Sequence, residues 1–282
     1  VLCAGLQCQA LLRRAGTCPG IQPRVQAAVP GAQAQRGHLQ VTVFQQGGGA
    51  EVADHVRLVA QRASLQRDAC VQGTQAGLFF EISKGVLVAG NVFVDNAQGV
   101  RILNSAGARV LHNTFLDSPA LFERNERSAE NDHFGWHPQT GPDVDERDGH
   151  VFAGNLLAAS AGFAAPLLRF EQSPALCGRL RRSMPRQLGH NAYVRAAAGP
   201  QPLIAWAPAA SATCRADYAT PAAFRRASGL GQGDVLLDGY RGALFRSVEL
   251  GHFELSGPVS GLGPVPIDPA AAAALGWSRV TG

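Results

Sequence analysis

Alternating apolar and polar residues run through the middle of the chain and repeat at a constant interval. The segment GLFFEISKGVLVAGNVFVDN (77–96) aligns without a gap over GVRILNSAGARVLHNTFLDS (99–118), at an offset of 22 residues. Shorter copies follow at 149–160 and 187–194. Each copy contains short apolar runs separated by Gly and Asn, a pattern that predicts short strands joined by turns.

A repeat of this length predicts stacked units, because one unit has too few residues to bury its own apolar face. Parallel stacking places equivalent residues above one another at about 4.8 Å. Leu78 and Phe80 then face inward, and Phe79, Glu81 and Arg101 face outward. We therefore predict an all-β fold, a right-handed parallel β-helix (a solenoid) with about 22 residues per coil.

One asparagine recurs in every copy, after Gly or His and before a strand. Asn tolerates left-handed backbone conformations, and stacked amides form hydrogen-bonded ladders. We predict a structural ladder, with His112 and Lys84 at neighbouring turns. The ladder residues are Asn91, Asn113, Asn155 and Asn191.

These coils resemble bacterial proteins of the pectin-lyase-like superfamily. The resemblance is carried by the segments GLFFEISKGVLVAGNVFV (77–94) and FGWHPQTGPDVDERDGHVFAGN (134–155). The resemblance covers about 77–206, with a weaker match to 282. It implies a protein that handles polysaccharide, since members include polysaccharide lyases, glycoside hydrolases, epimerases and non-catalytic binding proteins. It also implies an N-terminally incomplete or frame-disrupted member, because a complete member has more N-terminal coils.

The chain changes character at residue 77. Residues 1–76 contain no Asn, Lys, Trp or Tyr, yet hold 13 of the 19 Gln and four of the six Cys. We leave this segment unassigned, either poorly ordered or translated from the wrong reading frame. Coils are expected over 77–206 with an insertion at about 119–148. A C-terminal cap of short helices and loops is expected over 207–282, including a helix at 220–229.

Composition narrows the function classes. With 46% hydrophobic residues the chain can bury a substantial core, but it has no apolar run long enough for a membrane span. The net charge of +4 comes without a dense basic run, so no nucleic-acid partner is expected. No CxxC pair supports a zinc ribbon, and Cys177–Cys214 is the one disulfide worth testing. We expect a secreted or periplasmic monomer, although no signal peptide is visible.

The insertion is rich in residue types that can act in catalysis or bind a metal. Residues 123–150 hold eight of the 21 acidic residues and three of the eight histidines. Two registers fit. In one, Asp143 and Asp145 flank a strand residue and form a candidate Ca²⁺ site or acid pair. In the other, which we favour, ALFERN (120–125) is the strand and the rest up to Asp148 is a loop. No cofactor is certain, and a zinc site at His133 and His137 has weak support.

A carbohydrate-active enzyme needs a base, a carboxylate clamp and a sugar platform. We assign the base to His133 or His137, and the clamp to Arg101 or Arg124 beside Glu81. Substrate binding falls to Trp136 and Arg109. The leading hypothesis is a polysaccharide lyase or glycoside hydrolase acting on an acidic polysaccharide. The alternatives are a non-catalytic surface or carbohydrate-binding protein and a truncated inactive product.

Overall fold

The computed structural model describes residues 43–44, 57–58, 70–72, 76–127 and 141–257. The expectations for residues 1–76, including low order and few contacts with the coils, therefore fall largely outside the described residues. So does the terminal helix that the sequence PAAAAALGW (269–277) predicts.

Short strands dominate the described residues, as the alternating pattern predicts. The twenty strands are β1 (Val43–Phe44), β2 (Arg57–Leu58), β3 (Cys70–Gln72), β4 (Ala76–Glu81), β5 (Leu87–Ala89), β6 (Val92–Val94), β7 (Gln98–Leu103), β8 (Arg109–Leu111), β9 (Thr114–Leu116), β10 (Ala120–Arg124), β11 (His150–Ala153), β12 (Leu156–Ala159), β13 (Leu168–Gln172), β14 (Pro185–Gly189), β15 (Ala192–Arg195), β16 (Ile204–Trp206), β17 (Ala216–Tyr218), β18 (Val235–Asp238), β19 (Phe245–Ser247) and β20 (His252–Leu255). The described α-helix is α1 (Pro221–Ser228), and 3₁₀ turns lie at Val144–Glu146 and Pro174–Leu176.

The chain visits three larger sheets in turn. Sheet 1 has the order β17-β16-β13-β10-β7-β4, sheet 2 the order β14-β11-β8-β5, and sheet 3 the order β18-β15-β12-β9-β6-β3. Their pairings are parallel except that β17 runs antiparallel to β16. The pairs β1–β2 and β19–β20 are separate antiparallel sheets.

The predicted pairing of 77–96 with 99–118 is confirmed. Strands β4, β5 and β6 pair in parallel with β7, β8 and β9, and Phe80 lies opposite Ile102. The preferred register of the insertion is also confirmed, since β10 pairs with β7 and with β13. Strand β3 pairs with β6 through Cys70 and Val92, upstream of the boundary predicted at 77.

The predicted right-handed parallel β-helix of about 22 residues per coil with a C-terminal capping region is nevertheless wrong as the fold class of this chain, whose described residues form several parallel and mixed sheets. The spacing between asparagines in the ladder changes from 22 to 42 and then to 36. Connections of unequal length and the antiparallel strand β17 break the repeat that the first two copies suggested. Strand β18 extends sheet 3 into the segment expected to form a cap.

The asparagine ladder forms as predicted. Asn91 donates from its backbone and side-chain nitrogens to Oδ1 of Asn113, both at 3.0 Å. The same paired donation runs from Asn113 to Asn155 and from Asn155 to Asn191. The row ends on Oδ1 of Asp234, which accepts both donors of Asn191.

The turn before each ladder residue has a left-handed backbone. The value of φ is +69° at Gly90, +52° at His112, +67° at Gly154 and +56° at His190. His112 thus occupies the predicted turn, in a conformation that His adopts more readily than branched residues do.

The core lies between the three sheets and is built from stacked aromatic rings. Phe93 stacks on Phe115 with ring centroids 5.0 Å apart, and Phe122 stacks on Phe170 at 4.9 Å. All four side chains are at most 2% exposed. The core residues hold the strands in place, and the side chains that alternate with them along each strand point outward.

The C-terminal part adds a helix and a disulfide. Thr220 caps α1 by accepting from the Ala223 N–H, and Gly229 ends it in a left-handed conformation, as predicted. Cys177 and Cys214 form a disulfide across 37 residues. No helix of the described ranges is long and apolar enough to cross a membrane.

Candidate functional site

The outward face of sheet 1 carries two columns of side chains in register. One column reads Phe79, Arg101, Leu121, Arg169 and Ala205. The second column reads Glu81, Leu103, Glu123 and Glu171. Because alternate residues of a strand share one face, the buried aromatics of the same strands hold both columns outward.

Arginine–carboxylate pairs connect the two columns. Arg101 donates to Glu123 on the neighbouring strand at 2.8 Å, and its guanidinium carbon lies 5.3 Å from the centroid of the Phe79 ring. Arg169 donates at 2.8 Å to Glu171, two residues along its own strand. These paired side chains keep between 27% and 35% of their surface exposed. The result is a partly exposed row of guanidinium and carboxylate groups.

The row continues at both edges of the sheet. At one edge, Arg127 donates to Glu81 at 3.0 Å. At the other, Arg215 donates to Asp217 on β17 at 2.8 Å and lies 3.8 Å from Glu171. We call the Arg and Glu or Asp side chains at positions 81, 101, 123, 127, 169, 171, 215 and 217 the charged row.

The insertion begins and ends beside this row, and a buried arginine holds its two ends together. Arg147 is 1% exposed. It donates to the carbonyl oxygens of Asn125 and Arg127 on one side of the insertion and to that of Pro142 on the other. A fourth bond reaches Oδ1 of Asn104. Burial lowers the pKa of Arg147 to about 10, which still leaves it charged at neutral pH.

Gly141 explains why the segment that returns from the insertion lies so close to sheet 1. A Cβ atom at this position would stand 2.4 Å from Cγ2 of Ile82 and 2.7 Å from its carbonyl oxygen. Only glycine fits this approach. Together with Arg147, it fixes the base of the insertion at the Glu81 end of the charged row.

Some predicted site residues lie where expected. Glu81 and Arg101 are on the outward face of sheet 1 and belong to the charged row. His133, Trp136 and His137 lie outside the described residues. The proposed base and sugar platform therefore stay predictions.

Arg124 lies in a different place from the one expected. It is 2% exposed and points away from the outward face, because it follows Glu123 in the strand alternation. Its Nε donates to Oε1 of Gln172 at 2.9 Å and its Nη2 donates to the carbonyl of Arg182 at 3.0 Å. Burial lowers its pKa to about 10. An outward clamp at Arg124 is therefore wrong.

Arg109 and the two aspartates lie on other elements than the strands that carry the charged row. Arg109 lies on β8 in sheet 2, opposite Leu87 and Val151, and not on the face that carries Arg101. Asp143 precedes the 3₁₀ turn that contains Asp145, so the pair does not flank a strand residue. Asp145 accepts from Arg179 at 3.2 Å. Within 76–127 and 141–257 no group of three potential ligands surrounds a metal position.

Other side chains of the charged row were missed because the insertion hides their register. Arg169 and Glu171 repeat Leu121 and Glu123 at an offset of 48, far from the 22 of the first copies. His150 was counted with the chemistry of the insertion but is 3% exposed, and its Nδ1 accepts from the Ala108 N–H. Burial lowers its pKa to about 3, so it is a neutral core residue.

The chain matches no protein-family model, no curated protein and no solved structure.

Proposed function

We propose that this chain binds an extended acidic polysaccharide along the outward face of sheet 1. The observation that carries the proposal is the charged row, in which four arginine–carboxylate pairs stand on one partly exposed surface. Guanidinium groups match carboxylates in a two-point geometry, and their remaining N–H groups can donate to sugar hydroxyls. The resemblance to pectin-lyase-like proteins supports the same class of ligand.

Parallel strands suit a repeating ligand. Neighbouring strands lie about 4.8 Å apart, so outward positions recur at a short, regular interval across the sheet, and Arg101 and Arg169 occupy two positions on either side of Leu121. Phe79 adds an aromatic surface at one end of the row, where Arg101 lies over its ring. A polymer lying across the strands meets several weak polar contacts at once, which raises its affinity through effective concentration.

The disulfide supports a location outside the cytoplasm. Structural disulfides persist in oxidising compartments and are rare in the cytosol. The Cys177–Cys214 bond joins the segment after β13 to the segment before β17. We accordingly propose a secreted or periplasmic protein, acting as a monomer.

Binding is tested by affinity electrophoresis in gels containing pectate, alginate, hyaluronan or neutral xylan. We expect retardation by the acidic polymers and little by xylan. Arg101→Gln and Arg169→Gln remove guanidinium groups from the row and should each weaken binding several-fold. Arg186→Gln is the matched control, because Arg186 is exposed on β14 in sheet 2. Equal retardation of all four proteins would overturn the proposal.

A lyase or hydrolase activity on the same polymers is the second candidate. Glu123 lies opposite Glu171 on adjacent parallel strands, so the sheet brings two carboxylate-bearing residues to neighbouring outward positions. Retaining glycosidases use carboxyl groups about 5 Å apart. Release of reducing ends or unsaturated sugars, abolished by Glu123→Gln or by His137→Ala, would support this candidate. Binding without product would leave the non-catalytic function.

A further inference from the structure

Sheet 3 has an apolar outward face, in contrast to the charged row of sheet 1. One outward column of sheet 3 contains Val94, Leu116, Ala158, Val194 and Leu237 in register. Four of the five are branched aliphatic residues, and Ala158 is the small member in the middle. A face of this composition is not left open to water in a stable protein.

The β19–β20 hairpin covers part of that face. Phe245 is 5% exposed and packs in one cluster with Leu156, Ala158, Ala192 and Val194 of sheet 3. The ring of Phe253 meets Phe245 edge-on, with centroids 5.7 Å apart. The hairpin is thus anchored to the sheet by its own aromatic pair.

A cleft of about 340 Å³ remains between the hairpin and the sheet. Its floor is formed by Leu116, Ala158 and Val194, and its opposite wall by Leu244 and Phe245. Ala158, the one small residue of the outward column, lines this space. Apolar walls of this kind offer a filling water few hydrogen-bond partners.

The mouth of the cleft is mixed in character. Val248 lines it and is 40% exposed, and Leu250 on the same hairpin is 55% exposed. Arg246 and Glu249 also line it and supply one charge of each sign. The volume lies at the lower end of the range of roughly 300–1,000 Å³ for small-molecule sites, which also combine apolar walls with a few polar groups.

We propose that the cleft between sheet 3 and the β19–β20 hairpin binds a small molecule with an alkyl or aryl body. The body lies over Ala158 under Leu244, and a polar end remains at the mouth near Arg246 and Glu249. The opposite charges at the mouth favour a neutral or zwitterionic end over a fully anionic one. This site is separate from the charged row and does not depend on polysaccharide binding.

The test uses the neutral dye N-phenyl-1-naphthylamine, whose fluorescence rises in an apolar site. We expect saturable binding of one equivalent to the full chain. Ala243→Trp places a large ring at an exposed cleft position, and Ala158→Phe fills the floor. Each should weaken binding at least about tenfold. Ala212→Trp, at an exposed alanine in another loop, should leave it unchanged.

Unfolding curves recorded for every variant separate lost binding from lost structure, and Ala243→Trp serves if Ala158→Phe does not fold. Unchanged dye affinity in Ala243→Trp would overturn the proposal. So would loss of binding in Leu250→Ser, because the dye would then be reporting the exposed hairpin. Sedimentation showing a dimer whose dissociation exposes the dye site would assign the cleft to a second copy instead.

Discussion

At the scale of single residues, Asp234 shows the sharpest conflict between burial and charge. Its Oδ1 accepts two hydrogen bonds from Asn191 at 2.7 and 3.1 Å. Its Oδ2 and the neighbouring Tyr193 hydroxyl are buried without a well-formed hydrogen bond in the described structure. Burial raises the pKa of Asp234 to about 6 despite the bonds from Asn191, and burial beside Asp234 raises the pKa of Tyr193.

The raised pKa makes stability depend on pH in a defined direction. The folded protein holds the Asp234 proton more tightly than the unfolded chain, whose carboxyl titrates near 3.8. The protonated form therefore adds stability below about pH 4, and this stability is lost as the pH rises through about 6.

Asp234→Asn should remove this dependence. The amide keeps an acceptor for Asn191 and carries no charge to bury, so we expect a gain of about 1–2 kcal/mol in unfolding free energy at pH 8. The gain should shrink toward pH 4. Urea unfolding of both proteins across this range measures it. A variant less stable than the parent at pH 8 would contradict the assignment.

Sequence alone separates inward from outward residues well, but not polar residues that the fold buries. Phe80 and Arg101 follow the alternation as predicted. Arg124 and His150 also follow a strand alternation, yet their polarity suggested exposure. Each is satisfied by a distant group, the Arg182 carbonyl or the Ala108 N–H, whose proximity arises only in the folded chain.

At the scale of elements, the asparagine ladder connects strands that the sequence spaces unevenly. Asn155 is fully buried and both accepts from Asn113 and donates to Asn191. Its position was predictable, because the local turn chemistry repeats even where the connections differ in length.

Asn155→Ala should be strongly destabilising. It leaves the Asn113 backbone N–H without its acceptor, and it removes the side-chain donor from the Val110 carbonyl and from Oδ1 of Asn191, which keeps only the backbone N–H of residue 155. Each buried unsatisfied group costs about 1–3 kcal/mol. We expect a loss of about 3–5 kcal/mol in urea unfolding. Gln187→Ala, at an exposed position on β14, should change stability by less than about 0.5 kcal/mol. A loss below about 1 kcal/mol in Asn155→Ala would mean that water replaces the ladder.

The disulfide gives a second prediction at this scale. Cys177 and Cys214 close a loop with a sequence separation of 37, for which the loss of chain entropy in the unfolded state is worth about 3–4 kcal/mol. Reduction of the disulfide should lower the melting temperature. The Cys177→Ser and Cys214→Ser double variant should lower it by about the same number of degrees. The double variant is the control, since reductant should not change its melting temperature.

At the scale of the whole molecule, the predicted regular stack fails where connections lengthen. The 22-residue offset holds for the first copies, whereas the insertion after β10 and the antiparallel strand β17 follow no repeat. Only part of the candidate site could be predicted from the sequence, because the lengthened connections hide the alignment of its later residues. Glu81 and Arg101 lie in the regular part, while Arg169 and Glu171 come into line only after the insertion has been crossed.

Arg147 links the insertion to the rest of the molecule, so its replacement should loosen the insertion and weaken polysaccharide binding. Arg147→Met removes the donor shared by the carbonyls of Asn125, Arg127 and Pro142. We expect faster tryptic cleavage after Arg127 and weaker retardation in pectate gels. Arg186→Met should alter neither. Unchanged cleavage and unchanged retardation in Arg147→Met would show that the base of the insertion is held by other contacts.

The ladder also has a direction. Each asparagine donates two hydrogen bonds to the next residue toward the C-terminus, and each one after Asn91 accepts two from the residue before it. Asp234 breaks this succession, because a carboxylate accepts protons and has none to pass on. It stands directly before β18, the edge strand of sheet 3 within the described residues. The hydrogen-bonded row therefore ends at Asp234, where a carboxylate takes the place of the next amide.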